Sequence, residues 1–172
     1  TLAQLATCTT PEAPGLADDV SDPGYDGDKA RCARHGGAVI VAAAGNEGSA
    51  GVREYPAAEG AYGTVSVTAS AIDGRLAPFA NFGSWVDVAA PGDAITSTVP
   101  GGGFGTWSGT SMAAPFVAGV AALVRASDRA VDAEAVVRRL IRTSSPLCRT
   151  PVGQLDALAA LLDRAPDRPL CR

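Results

Sequence analysis

Residues 38–46 read Ala38-Val39-Ile40-Val41-Ala42-Ala43-Ala44-Gly45-Asn46, apolar at every position until the glycine. So short a run, apolar throughout, reads as a strand buried on both faces, the pattern of a parallel sheet covered by helices. It stops abruptly at Gly45-Asn46-Glu47-Gly48. Working outward, Thr64–Ala69, Trp85–Ala90 and Ala94–Val99 read as further strands, each bounded by Gly, Pro or Asp. Gly101-Gly102-Gly103 reads as a flexible loop. Ser111–Ala126 is the longest helical pattern, and small residues (Ala113, Ala114, Ala118, Gly119, Ala121, Ala122) run along most of it. A helix of such small cross-section is normally buried against a sheet or a second helix. Asp132 caps a second helix, Ala133–Arg142, with Val136, Val137, Leu140 and Ile141 as its apolar stripe, and Leu155–Leu162 offers a third. The sum is a layered α/β domain with a mostly parallel sheet. Residues 1–35 form an irregular acidic segment ending in a short helix near Asp28–His35, and 164–172 form a tail.

The chain has 172 residues, enough for one domain that buries roughly 68–70% of its extended surface. With 47% hydrophobic and 19% charged residues it is not a disordered chain. No apolar run approaches the ~20 residues of a membrane span. Six acids (Glu12, Asp18, Asp19, Asp22, Asp26, Asp28) crowd the first 30 residues against Lys29 alone, so the net charge of −4 is local to that block. No basic face is visible, which excludes a nucleic-acid partner. Cys8, Cys32, Cys148 and Cys171 lie far apart and lack metal-knuckle spacing. They suit two disulfides in an oxidising compartment, for instance Cys8–Cys32 with Cys148–Cys171, although three connectivities are possible and buried free thiols are the alternative. A chain beginning at Thr1 reads as a processed product or a fragment.

The strongest chemical signal is Gly109-Thr110-Ser111-Met112-Ala113-Ala114-Pro115 at the head of the small-residue helix. Serine is a weak nucleophile unless exposed, oriented and beside a base. A first helical turn exposes and orients it, and the free N–H groups there stabilise negative charge developing next to it. Gly109 lets a substrate backbone approach closely, and Pro115 is tolerable because it lies near the first turn. On its own, Gly109-Thr110-Ser111 would favour a plainer reading in which Thr110 or Ser111 is an ordinary N-cap. The second signal is Asn46, at the C-terminal end of a buried parallel strand, where α/β folds bind ligands. Its amide is a neutral donor of the kind an oxyanion requires, while a turn asparagine is the plainer alternative.

Taken together, the two signals resemble the subtilisin-like serine proteases, or subtilases. Gly109–Pro115 matches that family's nucleophile motif, continued by Phe116-Val117-Ala118-Gly119, and Ala42–Asn46 with Glu47-Gly48 matches its oxyanion-hole strand. Tyr55-Pro56-Ala57 and Asp87-Val88-Ala89-Ala90-Pro91-Gly92 resemble its connecting segments in the right order. The resemblance is dense over 36–127 and looser to 163. It implies a three-layer subtilisin-like fold of which the N-terminal part is absent from this chain, with 36–163 as the C-terminal part of the catalytic domain. It implies a secreted serine endopeptidase in which Ser111 is the nucleophile and Asn46 with the Ser111 N–H forms the oxyanion hole. Ala43, Ala44 and Gly45 would wall the pocket for the side chain preceding the scissile bond, with Gly109 lining the substrate path.

The family orders its catalytic residues Asp, His, Ser, and neither upstream motif is recognisable here. His35 sits before the strand whose far end carries Asn46, and seven strand residues at ~3.3 Å separate those edges by about 20 Å, so it is not the base. The Asp and His of the triad are expected from a second polypeptide or an N-terminal part. An inactive pseudoprotease or peptide-binding scaffold is the rival reading. The chemistry needs no redox or organic cofactor. The acidic loop Asp18–Asp28 could hold a structural calcium, but its spacing fits no EF-hand and a solvated surface loop explains it better. Phe104 and Trp107 would border the leaving-group side of the cleft.

Overall fold

The computed structural model describes residues 37–166. The acidic segment with its short helix, His35, Cys8, Cys32 and Cys171 lie outside the described residues, as does all of the tail beyond Pro166. The elements run β1 (Ile40–Ala43), a 3-10 turn (Ala57–Glu59), β2 (Thr64–Ser70), β3 (Val88–Pro91), β4 (Ile95–Thr98), β5 (Phe104–Trp107), α1 (Thr110–Ser127), α2 (Ala133–Arg142), β6 (Ser145–Pro146), β7 (Gly153–Gln154) and α3 (Ala157–Leu162). One sheet has the order β1-β2-β3-β7-β6, and β4 pairs with β5 as a separate hairpin. β1, β2, β3 and β7 are parallel neighbours, with Ala43 opposite Val67 and Ala69 opposite Ala90, and only β6 runs against β7. The expected mostly parallel sheet is present.

The two faces of β2 divide the core. Val65, Val67 and Ala69, with Val88 and Ala90, pack under Ala113, Val117, Val120, Ala121 and Val124 of α1, Val136, Val137 and Leu140 of α2, and Ala160 of α3. On the opposite face, Ala44, Val86, Ala89, Leu147 and Val152 form a smaller cluster with Leu76 and Trp85. Among the described residues this third layer consists of irregular chain, not helix. Hydroxyls on β2 satisfy it: Ser66 Oγ donates to the Trp85 carbonyl at 2.7 Å and Thr68 Oγ1 to that of Asn81 at 2.5 Å. Burial pushes the Asp87 carboxyl above its ordinary pKa, although Ser66 N–H donates to it.

α1 begins one residue ahead of its expected start, and α2 has the expected limits. Asp132 accepts from Ala135 N–H at 2.7 Å and caps α2, while Asp156 caps α3 in the same way. Arg139 of α2 donates to the carbonyls of Ala160 and Leu161 at the end of α3. α1, with a mean hydropathy of 1.3 over 18 residues, has the length and apolarity of a membrane-crossing helix by composition alone, but it packs on β1, β2 and β3.

Two expectations need correction, and one strand was not anticipated. β1 is not buried on both faces: Ile40, Val41 and Ala43 are half-buried and only Ala42 is fully buried. Complete burial requires a neighbour on each side, and among the described residues β1 lies at the sheet's edge. The third strand begins at Val88 rather than Trp85, because Val86 N–H bonds back to Gly83 in a turn. The segment after the glycine loop is strand β5, whose exposed residues give no apolar alternation to read.

Gly92 sets the spacing between β3 and α1. A Cβ there would lie 2.6 Å from Ala69 Cβ and 2.8 Å from the Gly109 carbonyl oxygen, and Gly92 O accepts from Gly109 N–H at 2.8 Å. Gly92→Ala is therefore expected to destabilise the fold by about 1–3 kcal/mol through overpacking, measured by urea denaturation.

Candidate functional site

The site forms where the end of β1 meets the start of α1. Thr110, fully buried at the head of α1, has a hydroxyl that accepts from Gly45 N–H at 3.1 Å and lies 3.1 Å from Asn46 Oδ1, to which it donates. Its backbone N–H donates to the same Asn46 oxygen at 2.8 Å. With Oδ1 occupied by two donors, the Asn46 amide can present only its Nδ2 hydrogens outward. Asn46 is exposed, and its Nδ2 meets no acceptor among the described residues. Ser111, the next residue, is also exposed, and its N–H is one of the orphan donors of a helix's first turn. Two donors are thus available beside a serine hydroxyl, the arrangement that stabilises a tetrahedral oxyanion.

Gly109 is buried between them. It is tied to Gly92 through its N–H, and a Cβ on it would lie 3.6 Å from both polar atoms of the Asn46 amide. Ala44 is buried, while Ala43 and Gly45 are half-buried at the head of the same turn. The structure therefore brings together Ser111, Asn46, Gly109 and the Ala43–Gly45 segment. His35 lies outside the described residues, and among the described residues no group of three His, Cys, Asp or Glu side chains could hold a metal. Phe104 and Trp107 are exposed on β5, at the sequence approach to Ser111.

Two residues that hold the site escaped the sequence reading. Thr110 appeared there as a possible N-cap, yet its hydroxyl contacts residues 64 and 65 positions earlier. Asn81 carried no signal beyond belonging to a turn-rich stretch. It is fully buried, with Nδ2 donating to Ala44 O at 3.0 Å and Glu47 Oε2 at 2.6 Å. Its Oδ1 accepts from Glu47 N–H at 3.0 Å and Ser49 N–H at 3.1 Å, and its own N–H donates to Gly45 O. Every hydrogen-bonding position of that side chain is used to shape the loop around Asn46.

A subtilase family model matches residues 12–167, and the chain belongs to that family. It is 43% identical over 122 residues to the subtilisin-like serine protease Pen c 1 of Penicillium citrinum, covering 71% of this chain and 30% of that protein. It is 50% identical over 91 residues to subtilisin NAT of Bacillus subtilis subsp. natto, covering 51% of this chain and 23% of that one. Among solved structures, a protease from Pseudoalteromonas arctica superposes with a TM-score of 0.68 at 31% identity, covering 79% of this chain and 45% of that chain. The self-cleaved protease domain of PatA gives 0.65 at 32% identity, covering 81% and 54%. The chain thus spans less than a third of these curated relatives and about half of the matched structures.

Asn81→Ala leaves Ala44 O and the N–H groups of Glu47 and Ser49 without their partner. It is expected to lower stability by at least about 2 kcal/mol, read from urea denaturation followed by circular dichroism.

Proposed function

We propose that this chain carries the nucleophile and the oxyanion hole of a subtilisin-type serine endopeptidase acting on protein or peptide substrates. The observation that carries the reading is the Thr110 clasp, which leaves Asn46 Nδ2 free beside the exposed Ser111. Ser111 Oγ attacks the peptide carbonyl and gives its proton to a base. The oxyanion accepts from Asn46 Nδ2 and Ser111 N–H, the base returns its proton to the departing amine, and water, deprotonated by the same base, releases the acyl group from Ser111. Ala43, Ala44 and Gly45 wall the pocket for the preceding side chain, and Gly109 leaves room for the substrate backbone. Residues 36–163 carry this part of the catalytic domain, and the chemistry needs no cofactor. A structural calcium, if bound, belongs to the acidic loop Asp18–Asp28.

The base and its aspartate come from a second polypeptide or an N-terminal part. Ser111, Ala118 and Ala122 stand seven and eleven positions apart on α1 and so share one helix face. No charged residue occurs in α1 before Arg125, yet Phe116, Ala118, Gly119, Ala122 and Leu123 are exposed. Ala118 and Ala122, with Ala121, Val39, Val41 and Arg125, line a groove of about 180 Å³. A segment lying in that groove runs along the stripe that ends at Ser111, which suits delivery of a base. Secretion and two disulfides complete the proposal. The disulfide-bonded state of Cys148, whose partner lies outside the described residues, supports an oxidising compartment.

Treating the natively isolated protein with a fluorophosphonate and measuring its intact mass tests this reading. An adduct that Ser111→Ala abolishes is expected, and Asn46→Ala should slow peptide hydrolysis by about 10²–10³. The 172-residue chain alone should hydrolyse no peptide. A folded native protein without an adduct is a fragment lacking its base or an inactive pseudoprotease or peptide-binding scaffold instead.

A further inference from the structure

The alanines of the pocket wall indicate room for a large side chain, and the far end of that wall is acidic. Gly45 has φ +98°, and a Cβ there would lie 2.5 Å from Asn81 Nδ2, 2.6 Å from Glu54 Cγ and 2.8 Å from Glu47 Oε2. Two acidic side chains therefore lie directly over the Gly45 Cα, a position where the backbone conformation and the lack of space both require glycine. Glu47 follows Asn46 immediately, so this acidity begins one residue from the proposed oxyanion donor.

Glu47 is held in place, with Oε2 accepting from Asn81 Nδ2 at 2.6 Å and its own N–H donating to Asn81 Oδ1 at 3.0 Å. Asn81 is a neutral amide, so it orients the carboxylate and leaves its charge uncompensated. Among the described residues neither Glu47 nor Glu54 forms an ion pair, and both are exposed to an incoming substrate. The arrangement matches one class of side chain. A lysine or arginine lays its aliphatic stem along Ala43 and Ala44 and brings its cation to the two carboxylates. An aromatic or aliphatic side chain would strip water from those carboxylates without replacing its hydrogen bonds, and an acidic one would meet like charge.

We propose that Glu47 and Glu54 make this site selective for Lys or Arg immediately before the scissile bond, an assignment that rests on Ser111 and Asn46 being the acyl-transfer centre. The test uses the natively isolated protein, with whichever polypeptide supplies its base. Its substrates are fluorogenic peptides that differ only in that residue: Lys, Arg, Phe, Leu or Glu. kcat/KM for Lys and Arg should exceed that for Phe by at least about tenfold, the scale of one charge-assisted hydrogen bond. Glu should be the poorest substrate, and raising the salt to about 1 M should shrink the Lys-to-Phe ratio. Glu54→Gln should lower that ratio, and so should Glu47→Gln, which keeps an acceptor for Asn81. A preference for Phe or Leu that Glu54→Gln leaves unchanged overturns the assignment while the peptidase reading stands. Failure to cleave any of the peptides, with no fluorophosphonate adduct on Ser111, overturns both.

Discussion

One buried hydroxyl ties the molecule's chemistry to its fold. Thr110 Oγ1 accepts from Gly45 N–H and donates to Asn46 Oδ1, so the end of β1 and the first turn of α1 are set by a single side chain. A second tie, Gly109 N–H to Gly92 O, fixes the same turn to the end of β3. The parallel register of β1, β2 and β3 delivers these strand ends to one edge of the sheet, the edge at which α/β folds place their ligand sites. The relation between Ser111 and Asn46 is therefore a property of sheet and helix together, and neither residue can shift alone.

Asn81 acts one layer further out. It joins Ala44 O, Gly45 O and the N–H groups of Glu47 and Ser49 through one side chain and one backbone N–H. The turn it shapes contains both Asn46, the proposed oxyanion donor, and Glu47, a proposed acid of the pocket, so under that proposal stabilisation and substrate choice share one support. Thr68 secures Asn81 in turn through the Asn81 carbonyl, which carries the constraint back into the centre of the sheet.

Much of this was legible in the residues, for physical reasons that also set the limits. The 38–44 run and the small-residue helix are local patterns, and Asp132 announces α2 because a cap acts within one turn. Ser111 and Asn46 stood out because their motifs are contiguous. Thr110's hold on Asn46 and Asn81's hold on Glu47 span 64 and 34 positions and leave no local periodicity. β5 carries no apolar alternation, because Phe104 and Trp107 stand three positions apart and so fall on opposite faces of the strand. Full burial of β1 failed as an expectation because burial belongs to the neighbourhood, and an apolar run states only what a strand could tolerate.

The layers of this core are thin. β2 places Ser66, Thr68, Ala69 and Ser70 among its buried positions, and α1 meets the sheet with Ala113 and Ala121. Helix and sheet approach until main-chain atoms or first side-chain carbons nearly touch, as they do around Gly92. Long side chains would act as compliant springs between the layers, whereas alanines and glycines act as rigid shims. The gap between Ser111 and Asn46 is accordingly gauged by one short hydroxyl side chain and one main-chain tie, which gives the tolerance of a machined fit in place of that of a packed one.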